Sequence, residues 1–167
     1  MEKKAYVDLQ TGLPNKSKCE EMLNNYEYIT EPMGFVMFDL NNLKRANDTY
    51  GHAVGDQLIT NFARLLRNAI PAKDFVGRYG GDEFIAIITQ TTKNEILKIM
   101  DEVHDEVRNF NENIHKVEVS YAYGYAFSED YADCTIKTLF DKADKHMYEN
   151  KAIEKAKFET IVWKTIV

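Results

Sequence analysis

The spacing of apolar residues switches repeatedly between a helical period and a strand period along this chain. Apolar residues three or four positions apart predict four amphipathic helices. These helices lie over residues 16–28, 54–69, 96–110 and 136–147. Asn15 is a suitable N-cap for the first helix, and Pro71 ends the second because its ring cannot continue a helix.

The apolar runs between these helices predict strands. A continuous apolar run over residues 34–39 is typical of a buried central strand, and large residues alternate with mostly small ones over 117–127. Residues 75–89 predict a β-hairpin around Gly80-Gly81, since glycine tolerates the positive φ that a tight turn demands. Residues 161–163 are expected to add a last strand. Helices mixed with a hairpin-containing sheet indicate one layered α+β domain over residues 1–167.

The composition narrows the classes of function. The chain has 167 residues with 21 Lys and Arg against 27 Asp and Glu, a formal charge of −6. A basic nucleic-acid footprint is therefore absent, and an anionic ligand has to be held by local positive charge or metal ions. Cys19 and Cys134 are isolated in the sequence, which fits a reducing cytosol, and no apolar run reaches transmembrane length. We expect a cytoplasmic protein without membrane contact from this segment.

Acidic residues follow two of the predicted strands. Asp82 and Glu83 come directly after Gly80-Gly81, and Asp39 ends the run over residues 34–39. Such acids often serve as turn formers or helix caps. If the two strands are neighbours, however, the three carboxylates meet at one edge of a sheet, where their oxygens suit hard cations such as Mg²⁺.

Four ordered segments together resemble the GGDEF family, the diguanylate cyclases. Residues 78–84, Arg-Tyr-Gly-Gly-Asp-Glu-Phe, resemble its signature loop, and residues 39–56 resemble its upstream nucleotide-binding segment. Residues 8–15 resemble its opening, and Ala143-Asp144, Tyr148 and Lys151 resemble its closing helix. The resemblance covers nearly the whole chain. It implies a nucleotide-cyclase architecture, in which helices wrap a five-stranded central sheet and a Gly-Gly β-hairpin carries the signature loop.

The resemblance also implies a reaction. Diguanylate cyclases of bacterial second-messenger signalling join two GTP molecules into cyclic di-GMP and release pyrophosphate, using two Mg²⁺ or Mn²⁺ ions per active site in a transient homodimer. It assigns metal binding to Asp39, to the Leu40 carbonyl and to Asp82, and it gives Glu83 the second ion or the attacking hydroxyl. Asp82 and Glu83 are thus the expected catalytic residues. Gly80 and Gly81 should let the α-phosphate approach the backbone closely.

The remaining expected contacts are with the nucleotide. The backbone of Asn42, Leu43 and Lys44 should surround the terminal phosphates at a helix start, and the charges of Lys44, Lys151 and Lys155 should assist. Asn47 and Asp56 match the guanine-reading positions, although Asp56 could instead cap a helix. His52 either orders its loop or contacts the ligand.

Some positions depart from the family pattern. Lys155 stands where an arginine is usual and lacks its bidentate fork. Asn41 and Asn42 replace an acid and an aromatic residue, and Ala122 takes a position that is often Ser. Pro71 replaces the arginine of the Arg-x-x-Asp pair that mediates product inhibition, while Asp74 is kept.

Three other functions stay open from the sequence. One is a catalytically silent module that binds GTP and regulates a larger signalling protein. Another is a cyclase for a different nucleotide or a mixed dinucleotide. The third is an interaction module whose glycine hairpin contacts a protein partner.

Overall fold

The computed structural model describes residues 5–113 and 117–166 of the chain, with an α+β fold of helices around an antiparallel sheet. The elements, in chain order, are α1 Lys16–Leu23, β1 Met33–Leu40, α2 Leu43–Tyr50, α3 His52–Ala69, β2 Phe75–Arg78, β3 Glu83–Thr89, α4 Lys93–Asn111, β4 Tyr121–Phe127 and α5 Ile136–Ile166.

The sheet has four strands in the described residues, in the order β2-β3-β1-β4. β1 pairs antiparallel with both β3 and β4, and β2 pairs antiparallel with β3. The expectation of five strands was wrong for this part of the chain, because residues 161–163 belong to α5. No glycine or proline interrupts residues 136–166, so nothing in the local sequence ends that helix before a last strand could start.

Successive side chains of β1 point to opposite faces of the sheet and are buried on both. Val36 and Phe38 lie in a cluster with α3 and α4, where Phe62 and Phe84 meet edge to face with ring centroids 5.4 Å apart. Phe35 and Met37 point to the other face and pack with residues of α1 and α5. Burial on both faces explains why β1 reads as a continuous apolar run instead of an alternating one.

Two predicted elements are shorter than the sequence pattern indicated. α1 ends at Leu23 instead of continuing to residue 28, and the Asn25 side chain accepts a hydrogen bond from the Glu27 N–H at 3.0 Å. Asparagine competes in this way with helical backbone bonds. β4 starts at Tyr121 because the Asn111 side chain bonds both backbone groups of Val119, at 2.9 and 2.8 Å. Those groups would otherwise extend the strand.

The helix boundaries marked by caps were predicted correctly. The Lys18 N–H donates to Asn15 Oδ1 at 3.1 Å at the start of α1, and α3 ends at Ala69, two residues before Pro71. Among the described residues, no helix has the length and apolar character needed to cross a membrane.

Candidate functional site

The antiparallel pairing of β1 and β3 brings the predicted acids to one edge of the sheet. Asp39 is the register partner of Glu83, the first residue of β3. The Leu40 N–H donates to the Asp82 carbonyl at 2.8 Å, so Asp82 lies beside the end of β1. Residues more than 40 positions apart in the sequence are thus held together by the strand ladder.

The electrostatics of this edge show mutual repulsion. Burial raises the pKa of Asp82 above its ordinary value, and the nearby Asp39 carboxylate raises it further. The pKa of Glu83 is raised by burial first and then by the charges of Asp39, Asp82 and Asp144. Both acids therefore lie where negative charge is unfavourable without a cation.

The Lys151 ammonium of α5 supplies part of that positive charge. Its Nζ contacts Asp39 Oδ2, and it opposes the rise in pKa of both Asp82 and Glu83. Asp39 Oδ1 is buried and makes no hydrogen bond to any described residue. A buried carboxylate oxygen without a partner is costly, so it marks a place where a cation fits.

The acids do not form a ready-made metal cluster. Within residues 5–113 and 117–166, no group of three or more His, Cys, Asp and Glu residues is arranged to hold a metal ion. The Asp39 charge is nevertheless close enough to raise the pKa of both Asp82 and Glu83. Even so, the free Oδ1 of Asp39 and the repulsion at Asp82 and Glu83 make these acids chemically suited to a hard divalent cation.

The segment that joins β2 to β3, which we call the signature turn, consists of Tyr79–Asp82. Arg78 Nε donates to the Gly80 carbonyl at 3.2 Å, and its Nη2 donates to the Gly81 carbonyl at 2.8 Å. The positive φ expected at the two glycines is not observed: positive φ occurs only at Gly12 and Gly51 among the glycines described. A tight turn therefore does not explain this pair of glycines.

Space around the glycines suggests another reason for them. A Cβ added at Gly81 would meet no atom within 4 Å, and at Gly80 it would meet only Glu83, at 3.4 Å or more. The folded chain could thus hold alanine at either position. The open space lies beside the three acids, where a ligand could approach the backbone.

The expected phosphate segment opens α2. Asn42 is its N-cap with φ 63°, and Leu43 and Lys44 are the first two helical residues. Asn42, Lys151 and Lys155 line the same cavity of about 1140 Å³. Lys151 therefore borders the expected phosphate region, although its ammonium group is paired with Asp39 in this structure.

The expected guanine-reading residues lie on α2 and α3. Asn47 Oδ1 is buried without a partner among the described residues and rests against Gly55, where an added Cβ would lie 1.7 Å from it. Asp56 is the fifth residue of α3, whose N-cap is Gly51, so the alternative of Asp56 as a helix cap was wrong. His52 is exposed at the start of the same helix.

Two residues with polar contacts around the site were given no role by the sequence. Arg78 was visible only as part of the signature motif, and Gln10 only as part of the opening segment over residues 8–15. In the structure Gln10 bonds to both Arg78 and Asp56, which lie 68 and 46 positions away in the chain. Contacts over such separations depend on the tertiary fold.

Comparisons with known proteins agree with the family resemblance of the sequence motifs. The family model described as "Diguanylate cyclase, GGDEF domain" matches residues 5–157. A probable diguanylate cyclase of Escherichia coli (strain K12), DgcI, is 33% identical over 147 residues, which are 86% of this chain and 30% of the relative. An uncharacterized membrane protein of Staphylococcus saprophyticus, SSP1970, is 29% identical over 167 aligned residues, which cover 93% of this chain and 46% of the relative. The chain thus spans less than half the length of these two curated relatives.

Solved structures share the fold. The crystal structure of the GGDEF domain of DgcB from Caulobacter crescentus, in complex with c-di-GMP, matches with a TM-score of 0.77 at 23% identity. The match covers 89% of this chain and 91% of that one. At this identity the likeness concerns the fold, and it agrees with the α+β arrangement described above.

Proposed function

This chain belongs to the GGDEF family, and from that premise we propose that it is a diguanylate cyclase domain that condenses two GTP molecules into cyclic di-GMP. The observation that carries the proposal is the juxtaposition of Asp39, Asp82 and Glu83 at the β1–β3 edge, with an unpartnered carboxylate oxygen on Asp39. Acids that repel one another at a sheet edge suit a cation-dependent reaction, and product formation is what distinguishes it from cation-dependent GTP binding alone.

In the proposed reaction, the 3′-oxygen of each GTP attacks the α-phosphorus of the other. A P–O bond forms there, the bond from the α-phosphorus to the bridging oxygen breaks, and pyrophosphate leaves. Two such displacements convert two GTP into one cyclic di-GMP and two pyrophosphates. Two domains have to face each other, since each is proposed to hold one GTP.

Asp39, Asp82 and the Leu40 carbonyl are the proposed metal ligands, with Glu83 at the second ion or at the attacking hydroxyl. Divalent cations bound there supply positive charge that neutralises the phosphates and lowers the pKa of the 3′-hydroxyl. Where Glu83 faces the attacking hydroxyl, it is the proposed acceptor of the proton that the hydroxyl loses. Mg²⁺ and Mn²⁺ both suit an oxygen-rich set of ligands.

The remaining residues are proposed to bind and orient the nucleotide. Gly80 and Gly81 leave room for the α-phosphate, and the first N–H groups of α2 from Asn42 to Lys44 face the terminal phosphates. Lys151, which contacts Asp39 in this structure, and Lys155 line the same cavity and would add positive charge to the phosphates.

The base is proposed to be read by Asn47 and Asp56, with His52 beside them. A carboxylate accepts hydrogen bonds from guanine N1–H and N2–H₂, a pair of donors that adenine lacks. We place the domain in the cytoplasm, where GTP is available, and leave open that a longer protein anchors it to a membrane.

Incubation with GTP and Mg²⁺ followed by mass spectrometry of the products tests the proposal. Cyclic di-GMP and pyrophosphate are expected from the parent chain and not from a folded Asp82→Asn variant. Metal-dependent GTP binding without product, in samples concentrated enough to dimerise, would instead support the silent regulatory module. Absence of nucleotide binding would leave the interaction module as the better reading.

A further inference from the structure

The side chain of Gln10 connects two parts of the proposed active site. Gln10 Oε1 accepts a hydrogen bond from Arg78 Nη1 at 2.9 Å, and Gln10 Nε2 donates to Asp56 Oδ1 at 3.2 Å. The orientation of the amide is fixed by chemistry, because a guanidinium can only donate and a carboxylate can only accept. Reversing the amide would lose both bonds at once.

Arg78, which bonds to the Oε1 end of the Gln10 amide, is itself held in place by three further contacts. Its Nη1 forms an ion pair with Asp8 Oδ2 at 3.2 Å, while its Nη2 and Nε bind the Gly81 and Gly80 carbonyls. Because the guanidinium is rigid and planar, these contacts fix the direction of the N–H group that points at Gln10. A continuous chain of hydrogen bonds therefore runs from the signature turn to Asp56.

Asp56 needs an external restraint if it is to recognise a ligand. It lies on an exposed face of α3, where a short side chain can rotate freely, and its Oδ1 is engaged by Gln10. With that oxygen held, the plane of the carboxylate is restricted while the second oxygen still has its lone pairs available. A pre-oriented acceptor loses less conformational entropy when it binds a ligand.

We propose that Gln10 is a positioning residue for base selection, which holds the Asp56 carboxylate toward the guanine donor pair and ties it to the signature turn through Arg78. The inference rests on the proposed function, because it deepens the role given to Asp56. It predicts that Gln10 affects the preference for guanine over adenine and not merely the stability of the fold.

Two substitutions separate the two ends of the connection. Gln10→Ala removes both hydrogen bonds, whereas Gln10→Glu keeps an acceptor for Arg78 but places a negative charge against Asp56. Leu9→Ala is the matched control, since the neighbouring Leu9 side chain is 89% exposed. The probes are GTP and ATP analogues with a methylene group between the α- and β-phosphorus, which bind but cannot release pyrophosphate.

Calorimetry with Mg²⁺ then gives the ratio of the two dissociation constants for each variant. We expect both Gln10 variants to lower the preference for the GTP analogue by roughly 3- to 10-fold, the size of one ordinary hydrogen bond, because the bonds of Gln10 are exposed to solvent. Gln10→Glu should show at least the effect of Gln10→Ala, and Leu9→Ala should keep the ratio of the parent chain. Thermal unfolding of each variant checks that the fold is kept.

Each outcome has a distinct meaning. A ratio unchanged in both Gln10 variants, with or without a lower Tm, overturns the positioning role. A loss of preference in Gln10→Ala alone shows that only the Arg78 contact matters, which also contradicts the proposal. If the parent chain itself prefers neither analogue, Asp56 does not read guanine and the proposal on Gln10 fails with that premise. Product formation from GTP, measured separately, shows whether the cyclase assignment survives.

Discussion

The charged forms of Asp82 and Glu83 are unfavourable in the folded chain without a bound cation. Both lose solvation on folding, and both face the Asp39 charge across the end of the β1–β3 pair. Lys151 offsets only part of this repulsion, since one ammonium faces three carboxylates. Groups kept together at a cost to stability are typical of functional sites. The cost itself is measurable.

The first prediction concerns the stability of Asp82→Asn. The pKa of Asp82 in the folded chain is above its ordinary value of 3.8, so the folded state binds the proton more tightly than the unfolded state does. Stability is therefore lost as the pH rises from 3.8 through the raised pKa. Asn removes that loss. Because solvent screens the repulsion, we expect a gain of about 1 kcal/mol at pH 7, or roughly 2–4 °C in Tm.

Thermal unfolding in EDTA, at pH 7 and again below pH 3.8, provides the measurement, because the gain should disappear where both states are protonated. The same variant should lose activity by on the order of 100- to 1,000-fold, as is typical when one group that stabilises transition-state charge is removed. Asp101→Asn, at an exposed site on α4, is the control. A variant that is both fully active and no more stable than the parent chain would contradict the role of Asp82.

The second prediction concerns inhibition by product. Pro71 has no side-chain donor, and the Asp74 side chain is fully buried, where it accepts bonds from the Thr89 N–H at 3.0 Å and from Lys73 Nζ at 3.0 Å. These bonds all go to Asp74 Oδ1, and Oδ2 has no partner among the described residues. Because the whole side chain has no exposed surface, neither oxygen is available to a ligand at the surface. We expect cyclic di-GMP at low micromolar concentration to leave the initial rate unchanged within about twofold, as expected when no charge-assisted contact is made. Strong noncompetitive inhibition that Asp74→Asn relieves would show the opposite.

At the scale of residues, the sequence could predict those site residues that lie close together both in the fold and in a continuous sequence motif. Asp82, Glu83, Gly80 and Gly81 could be named as candidates because the motif is continuous, and their roles stay predictions. The positive φ assigned to the two glycines was wrong, because the connection is four residues long and Arg78 holds the carbonyls of Gly80 and Gly81. The bonds of Gln10 were out of reach, since they depend on how a loop lies against α3.

At the scale of elements, the position of α5 on the sheet depends on a glycine. A Cβ at Gly124 of β4 would lie 2.2 Å from both the Ala143 carbonyl oxygen and the Met147 nitrogen. The helix backbone therefore rests directly on the strand, and the same helix carries Lys151 to Asp39. Close packing of α5 and the geometry of the site are linked through this contact.

The third prediction compares Gly124→Ala with Gly81→Ala. At Gly124 the added methyl group meets backbone atoms that cannot rotate away, so we expect a loss of about 3 kcal/mol, or roughly 6–12 °C in Tm. At Gly81 it meets open space, so stability should change by less than about 0.5 kcal/mol. If a phosphate approaches Gly81, its variant should nevertheless lose at least about tenfold in activity, because a misplacement of 1 Å is costly.

Unfolding curves and initial rates for both variants decide between the possibilities. Full activity of Gly81→Ala would contradict close approach of the ligand at the signature turn. An unchanged Tm for Gly124→Ala would mean that α5 can move away from β4, and that the contact with Lys151 is less constrained than it is here.

Elements were predictable where a periodic pattern coincided with a local stop signal. Asn15 and Pro71 are two examples. The Asn15 side chain caps the start of α1, and α3 ends two residues before Pro71, both as predicted. Where the stop came from a side chain acting at a distance, as Asn111 does on Val119, the boundary was misplaced. α5 was underestimated for the reverse reason, because residues 148–166 have weak apolar periodicity but contain nothing that ends a helix.

At the scale of the whole molecule, the proposed chemistry is incomplete in a single copy. Each domain has one set of Asp39, Asp82 and Glu83 at one sheet edge, and each is proposed to hold one GTP whose hydroxyl must reach a second nucleotide. The formal charge of −6 opposes the approach of two copies. Cations bound at the proposed acidic edge would reduce that repulsion.

The fourth prediction is that this chain by itself is mainly monomeric and that its specific activity rises with its own concentration. If the active species is a weak dimer, a tenfold dilution should lower specific activity by nearly tenfold in the monomeric range, because the dimer fraction is then proportional to total protein. Fusing a parallel dimeric coiled coil to the N-terminus should raise activity at low concentration, since linking replaces a bimolecular encounter by an effective concentration of about millimolar.

The fused Asp82→Asn variant controls for any effect of the coil itself. Light scattering at each dilution reports the oligomeric state. Specific activity that stays constant in a sample shown to be monomeric would rule out a mechanism that requires two domains, because a single GTP site cannot present both reacting nucleotides to each other.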